Sequence, residues 1–242
     1  MSHSPLEQFA IKKIIELNIF GYDISFTNSS AWMVVALLIS IAFFTITSVN
    51  LQFLPSKRQA LGEIVYEFVS NILSINAGNE GKKFIAFIFS FFWFILVCNL
   101  LGLLPYSFTV TSHIIVTFSL AALLFVVINI YGIAKNGISF LSLFLPEGTP
   151  LWMAPLMIVV ELFAYLTRPI SLSLRLVANM VAGHILLKVI AGFAVSLGVI
   201  FKIAPVFFMG CIIGLEFFVA LLQAYIFTIL ACVYLNDAIN LH

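Results

Sequence analysis

The sequence predicts an all-α polytopic membrane protein, and three observations carry that expectation. Of its 242 residues, 63% are hydrophobic and only 9% are charged, where a soluble domain carries roughly 25% charged residues. The apolar residues gather into five runs of about 20 residues or more, the length a helix needs to cross a hydrocarbon core about 30 Å thick. The last two runs are longer than a crossing requires, which suggests two tilted helices paired as a hairpin. Amphipathic helices at the membrane surface complete the fold class. A formal net charge of +1 gives no electrostatic reason to expect a nucleic-acid partner. Cys98, Cys211 and Cys232 fall in apolar runs without paired spacing, so they are expected as small buried hydrophobes rather than disulfide or metal sites. No cofactor is expected.

Met1–Tyr22 carries Glu7, Lys12, Lys13 and Glu16 and lacks an apolar core followed by a small-residue cleavage site, so no cleaved signal is expected. It is not Arg- and Ser-rich either, which argues against a transit peptide. Pro5–Leu17 spaces Leu6, Phe9, Ile14 and Leu17 in a helix-like way and reads as a short amphipathic element at the membrane surface. Thr27, Asn28, Ser29 and Ser30 offer N-caps to the first span, Ala31–Val49. The polar stretch Pro55–Lys83 then repeats Leu61, Ile64, Val65, Phe68, Ile72 and Leu73 every three or four residues. That is an interfacial helix, too polar to span.

The second span is Phe84–Leu104, ended by Pro105, and the third is Ile114–Ile133. The short turn Pro105–His113 between them makes the pair antiparallel. A loop with Gly137, Pro146, Gly148 and Pro150 follows. The fourth stretch, Leu151–Leu197, would measure roughly 70 Å as one helix. It must either break, with Pro169 the obvious kink site, or lie strongly tilted. The fifth, Ala204–Leu235, turns back after Gly198–Lys202. The whole is read as one membrane domain, 1–242: an N-terminal segment to residue 30, three spans over 31–133 with the interfacial helix near 60–75, and a tilted hairpin over 151–235.

Lys57, Arg58, Lys82 and Lys83 follow the first span, no lysine or arginine follows the second, and Lys135 follows the third. The positive-inside rule therefore puts the 55–83 stretch on the cytoplasmic or matrix side, the N-terminus outside and the C-terminus inside. Lys202, in the outer turn, is the one exception.

Arg175 lies near the middle of the fourth stretch. A charge at that depth costs at least about 2.5–3.5 kcal/mol, so it is a functional-site hypothesis by default. At 100° per residue, Glu161, Arg168, Ser171, Arg175 and Asn179 fall within an arc of roughly 80°. His184 and Lys188 lie on the other side. Glu216 and Gln223, seven apart, share a face of the last helix. The depths place Glu161 and Arg168 toward the inside, with His184 and Glu216 toward the outside. Glutamate and histidine can release a proton at accessible pH, whereas arginine cannot. This describes two half-paths separated by a fixed cation better than one continuous proton wire. Plainer roles compete at each position. Arg175 has Glu161 and Glu216 as possible ion-pair partners, Lys188 and Arg168 can snorkel, and Asn179 and Gln223 can be interhelical glue. His113 reads as a boundary residue.

The run Arg168–Gly183 (RPISLSLRLVANMVAG) resembles subunit a of the F-type ATP synthase. So do Asn99–Pro105 (NLLGLLP), Tyr106–His113 (YSFTVTSH), Gln223–Phe227 (QAYIF) and Tyr234–Ala238 (YLNDA). The resemblance extends from Pro5–Ile11 to the end of the chain. It implies a proton-translocating stator subunit of the Fo sector, without a catalytic site of its own, in an inner membrane of bacterial or mitochondrial type. The implied partners are the ring of c subunits, b-type peripheral stalk subunits, other Fo subunits and the lipid membrane. Arg175 matches the stator arginine that faces the c-ring carboxylates. Asn179, His184, Glu216 and Gln223 match positions on the outer half-channel, and Glu161 and Ser171 match positions near the inner one. Many bacterial members carry the acid and the histidine in the opposite order at 184 and 216. The order here is usual for alphaproteobacterial and mitochondrial members, and the exchange suggests that the two side chains lie close.

The chain has no GxxxxGK[ST] loop, so no nucleotide of its own is expected. A stand-alone secondary transporter that binds an anion at Arg175 would carry an inverted repeat, and none is visible. No HExxH or GxSxG motif supports an intramembrane enzyme.

Overall fold

In a computed structural model of the chain, residues 10–16, 18–19, 22–23, 25–49, 52, 54–104, 107–137, 139–140, 153–196 and 203–240 are described. Four very short strands come first: β1 (Lys13–Ile15), β2 (Asn18–Ile19), β3 (Tyr22–Asp23) and β4 (Phe26–Thr27). β1 pairs antiparallel with β4, and β2 with β3. Residues 13–15 are therefore extended where helix-like spacing suggested an amphipathic surface element. Paired isoleucines at 14 and 15 suit a strand, and Asn28 Nδ2 donates to the Ala10 carbonyl at 3.2 Å. Residues 5–9 and 17 of that element lie outside the described residues.

Among the described residues six α-helices follow: α1 (Asn28–Ser48), α2 (Lys57–Gly81), α3 (Ile85–Gly102), α4 (Ile114–Asn136), α5 (Ala154–Ser196) and α6 (Ile203–Ile239). Among these residues five helical stretches are long and apolar enough to cross a membrane, counting Lys57–Gly102 as one. The chain is an all-α polytopic membrane protein. Its caps are local. Ser30 N–H donates to Thr27 Oγ1 at the start of α1 (3.4 Å), and Gln59 N–H donates to Ser56 Oγ at the start of α2 (3.4 Å). Both satisfy donors that a helix start leaves open.

α2 buries Val69, Ile72, Leu73 and Ala77 and leaves Leu61, Ile64 and Phe68 exposed. Near its end Gly78 takes φ 64° and ψ −162°, a combination essentially confined to glycine. The polar helix breaks there before the apolar α3 begins. α5 runs 43 residues without interruption through Pro169, so the overlong stretch does not break at its proline. The turn expected at 198–202 and most of the loop expected over 134–150 lie outside the described residues.

The chain divides into two compact units, and each of α3, α5 and α6 contributes to both. The first draws on Met1–Ile46, Trp93–Val116 and Leu176–Ala224. Its core holds Ile95, Cys98, Phe108, Leu176, Met180 and Ala220, and Phe43 stacks on Trp93 with centroids 4.2 Å apart. Here too His113 stacks on Phe108 at 5.0 Å, and burial holds its imidazole below the usual histidine range.

The second unit draws on Thr47–Phe92, Thr117–Arg175 and Tyr225–His242. Leu73, Ile88, Leu124, Leu172, Phe227 and Leu235 fill its core. At its edge Lys135 pairs with Glu80, and Asn136 Nδ2 donates to the Ala238 carbonyl at 2.8 Å. Cys98 and Cys232 are buried thiols as expected, whereas Cys211 is exposed. A small side chain on an apolar helix can face lipid at little cost.

Gly78→Ala is expected to destabilise the protein by about 1–3 kcal/mol, because alanine cannot adopt that backbone without strain. The thermal midpoint of the solubilised protein measures this. Gly192, where an added Cβ would meet nothing within 4 Å, is the control. An unchanged midpoint for Gly78→Ala would remove the strain argument.

Candidate functional site

Within the first unit, α5 and α6 bring His184, Glu216, Asn179 and Gln223 into two adjoining contacts. The His184 ring is held on three sides. Its Nε2 lies 2.9 Å from the Gly102 carbonyl and 3.3 Å from Thr109 Oγ1. Its Nδ1 lies 3.0 Å from the Met180 carbonyl of its own helix and 3.9 Å from Glu216 Oε1. Both ring nitrogens thus face backbone carbonyls, which only accept. A neutral imidazole donates through one nitrogen and accepts at the other, and the Thr109 hydroxyl is placed to donate to Nε2. The acid and the histidine, named from opposite runs of the sequence, are neighbours.

Glu216 fits because of a glycine. A Cβ on Gly183 would stand 2.1 Å from Glu216 Oε1 and 2.9 Å from Cδ, so the carboxyl group rests against bare backbone. Two turns further along α6, Gln223 Oε1 accepts from Asn179 Nδ2 at 3.1 Å. Asn99, fully buried on α3, donates from Nδ2 to the Ala220 carbonyl at 3.3 Å. Glu216 Oε1, Gln223 Nε2 and Asn99 Oδ1 are buried without a hydrogen-bond partner among the described residues. In a protein interior such atoms are exceptional.

The second unit holds a separate cluster around Arg168. Its Nη1 donates to Asp237 Oδ2 at 2.9 Å, and its Nη2 lies 4.0 Å from Glu161 Oε1. The guanidinium lies 5.1 Å from the ring centres of both Tyr165 and Tyr234. Each such contact is worth about 0.5–2 kcal/mol depending on desolvation. Tyr165 is fixed in turn, donating its hydroxyl to Asn129 Oδ1 at 2.7 Å. Arg168 is therefore held by partners on α5 and α6, with 27% of its side chain exposed.

Arg175 is different. It is exposed on α5, as is Ser171 one turn before it. Among the described residues it forms no ion pair, because its two candidate partners are engaged elsewhere. Glu161 lies against Arg168 and Glu216 against His184. Lys188 is likewise exposed. Among the described residues no group of three or more His, Cys, Asp or Glu could hold a metal ion.

Sequence reasoning named His184, Glu216, Asn179, Gln223, Glu161, Ser171 and Arg175. It does not single out Gly183, Thr109, Tyr165, Tyr234 or Asp237 as site residues. Asp237 was the one legible omission, since a carboxylate close to a buried arginine's depth is a signal in itself.

Gly183→Ala is expected to push the Glu216 carboxyl away from His184 and to lower the thermal midpoint of the protein. Shortening the acid, in the double variant Gly183→Ala with Glu216→Asp, should recover at least half of that loss. No recovery would mean that the glycine serves packing unrelated to Glu216.

Residues 30–236 of the chain match the family model of the ATP synthase A chain.

Proposed function

The chain belongs to the ATP synthase A chain family, and from that premise we propose that it carries protons along two half-channels kept apart by Arg175. Membership makes it a multi-pass membrane subunit of the Fo sector, part of proton transport for ATP synthesis and not itself catalytic. Its partners include the c-ring and other Fo subunits. The finer assignments that follow are our reading.

One observation carries the proposal. Arg175 is an exposed permanent cation on an apolar helix, without an ion pair among the described residues. Hydrocarbon would leave that charge uncompensated at a cost of at least about 2.5–3.5 kcal/mol. A partner carboxylate that arrives on the c-ring compensates it, and only in its ionised form. The passing carboxyl group must therefore release its proton to face Arg175. Because the guanidinium keeps its own proton at every accessible pH, it also bars direct passage from one half-channel to the other.

His184 and Glu216 serve the outer half-channel. Together they offer a ring and a carboxyl group that can each take up and release a proton. Asn179, Gln223 and the unpartnered polar atoms near them supply groups that hydrogen-bond water. Glu161 and Ser171 serve the inner half-channel. The ion path lies on the hairpin over 151–235 of a single membrane domain, with the N-terminus outside and the C-terminus inside. A b-type peripheral stalk holds the subunit against the ring. The order of His184 and Glu216 favours an alphaproteobacterial or mitochondrial type of inner membrane, and a histidine in the path favours protons over sodium. No observation favours the stand-alone transporter.

The test is proton flux in vesicles that contain the assembled complex. Arg175→Ala should abolish ATP-driven pumping while passive leak is kept or increased. Retained coupled pumping would overturn the barrier role. Exchanging His184 and Glu216 for each other should impair pumping less than replacing either by alanine. Equal impairment would show that they do not act as a pair. Cysteines at Ser171 and Asn179 should crosslink to the ring helix, and absence of any crosslink would move the ring-facing surface elsewhere.

A further inference from the structure

We propose that Arg168 is a positioning residue, whose guanidinium holds the Glu161 carboxylate in place by tying it to the C-terminal end of α6. The inference rests on the reading above, in which Glu161 serves the inner half-channel. The geometry is that of a bridge. One nitrogen of the fork, Nη1, is committed to Asp237 Oδ2 at 2.9 Å. The other, Nη2, faces Glu161 Oε1 at 4.0 Å. Glu161 lies on α5 seven residues before Arg168, two turns away, while Asp237 is on another helix. A planar fork is the side chain suited to holding two carboxylates at fixed angles.

The plane of the fork is itself constrained. Tyr165 and Tyr234 each lie 5.1 Å from the guanidinium carbon. Tyr165 is anchored to α4 through Asn129. Three helices thus fix one cation before Glu161 meets it. Two tyrosines, a structural anchor and a committed aspartate are more than a solubilised boundary arginine needs. Arg168 does not relay protons, since it cannot release one. It acts through Glu161. Without it the Glu161 carboxylate loses its nearest cation among the described residues.

A double-mutant cycle separates this from a merely structural role. Arg168→Gln, Glu161→Gln and the double variant are compared in inverted vesicles by ATP-driven proton pumping, each normalised to the amount of assembled complex. Each single variant is expected to lose at least about five-fold in pumping rate, within the range of coupled contacts. The double variant should lose no more than the worse single, because Arg168 has nothing to position once Glu161 is gone. Losses that multiply would overturn the proposal, as would an unchanged rate in Arg168→Gln. If Arg168→Gln does not assemble, Arg168→Lys is run through the same cycle. It keeps a cation between the rings and loses only the fork, and the same non-additivity decides the matter. If Glu161→Gln alone pumps normally, the half-channel role of Glu161 fails and this inference fails with it. If Glu161→Gln is impaired but the losses multiply, only the positioning role fails.

Discussion

A guanidinium cannot shed its proton and hydrocarbon cannot solvate it, so an arginine within an apolar helix must be answered by something. That constraint organises this protein. Arg168 is answered internally, by Asp237 and two tyrosine rings. Arg175 forms no ion pair among the described residues, although it stands only seven positions along the same helix. The two arginines of α5 thus meet the same constraint in different ways. Had Glu161 or Glu216 turned to Arg175, the helix would be satisfied and inert.

His184 follows a different logic, because its charge is negotiable. Two backbone carbonyls, the Thr109 hydroxyl and the Glu216 carboxyl group surround it. An imidazole can take up and release a proton, which an arginine cannot. The same atoms replaced by lysine and aspartate would make a fixed ion pair.

Much of this was legible in the sequence because the membrane simplifies the problem. Length and apolarity alone place the helices, and the expected bounds of the third span begin where α4 begins, at Ile114. Buried charge announces itself, so Arg175, His184 and Glu216 stand out without a structure. Three things were not legible. Whether α5 breaks at Pro169 depends on packing that no local rule contains. The short pairing of residues 13–15 is a tertiary choice that overrides helical spacing. The partner of Arg168 lies 69 positions away, and periodicity along one helix says nothing about which residues of another helix come opposite. The helical wheel grouped Arg168 with Arg175; the contacts separate them.

The close seating of Glu216 on Gly183 has a consequence for how such a subunit can change over time. The room available at position 216 is set by the side chain absent at position 183, so the two positions cannot drift independently. A side chain acquired at 183 would require the flexible end of Glu216 to turn aside or to shorten. The position of the acid beside His184 thus rests on the one residue of the cluster that has no side chain.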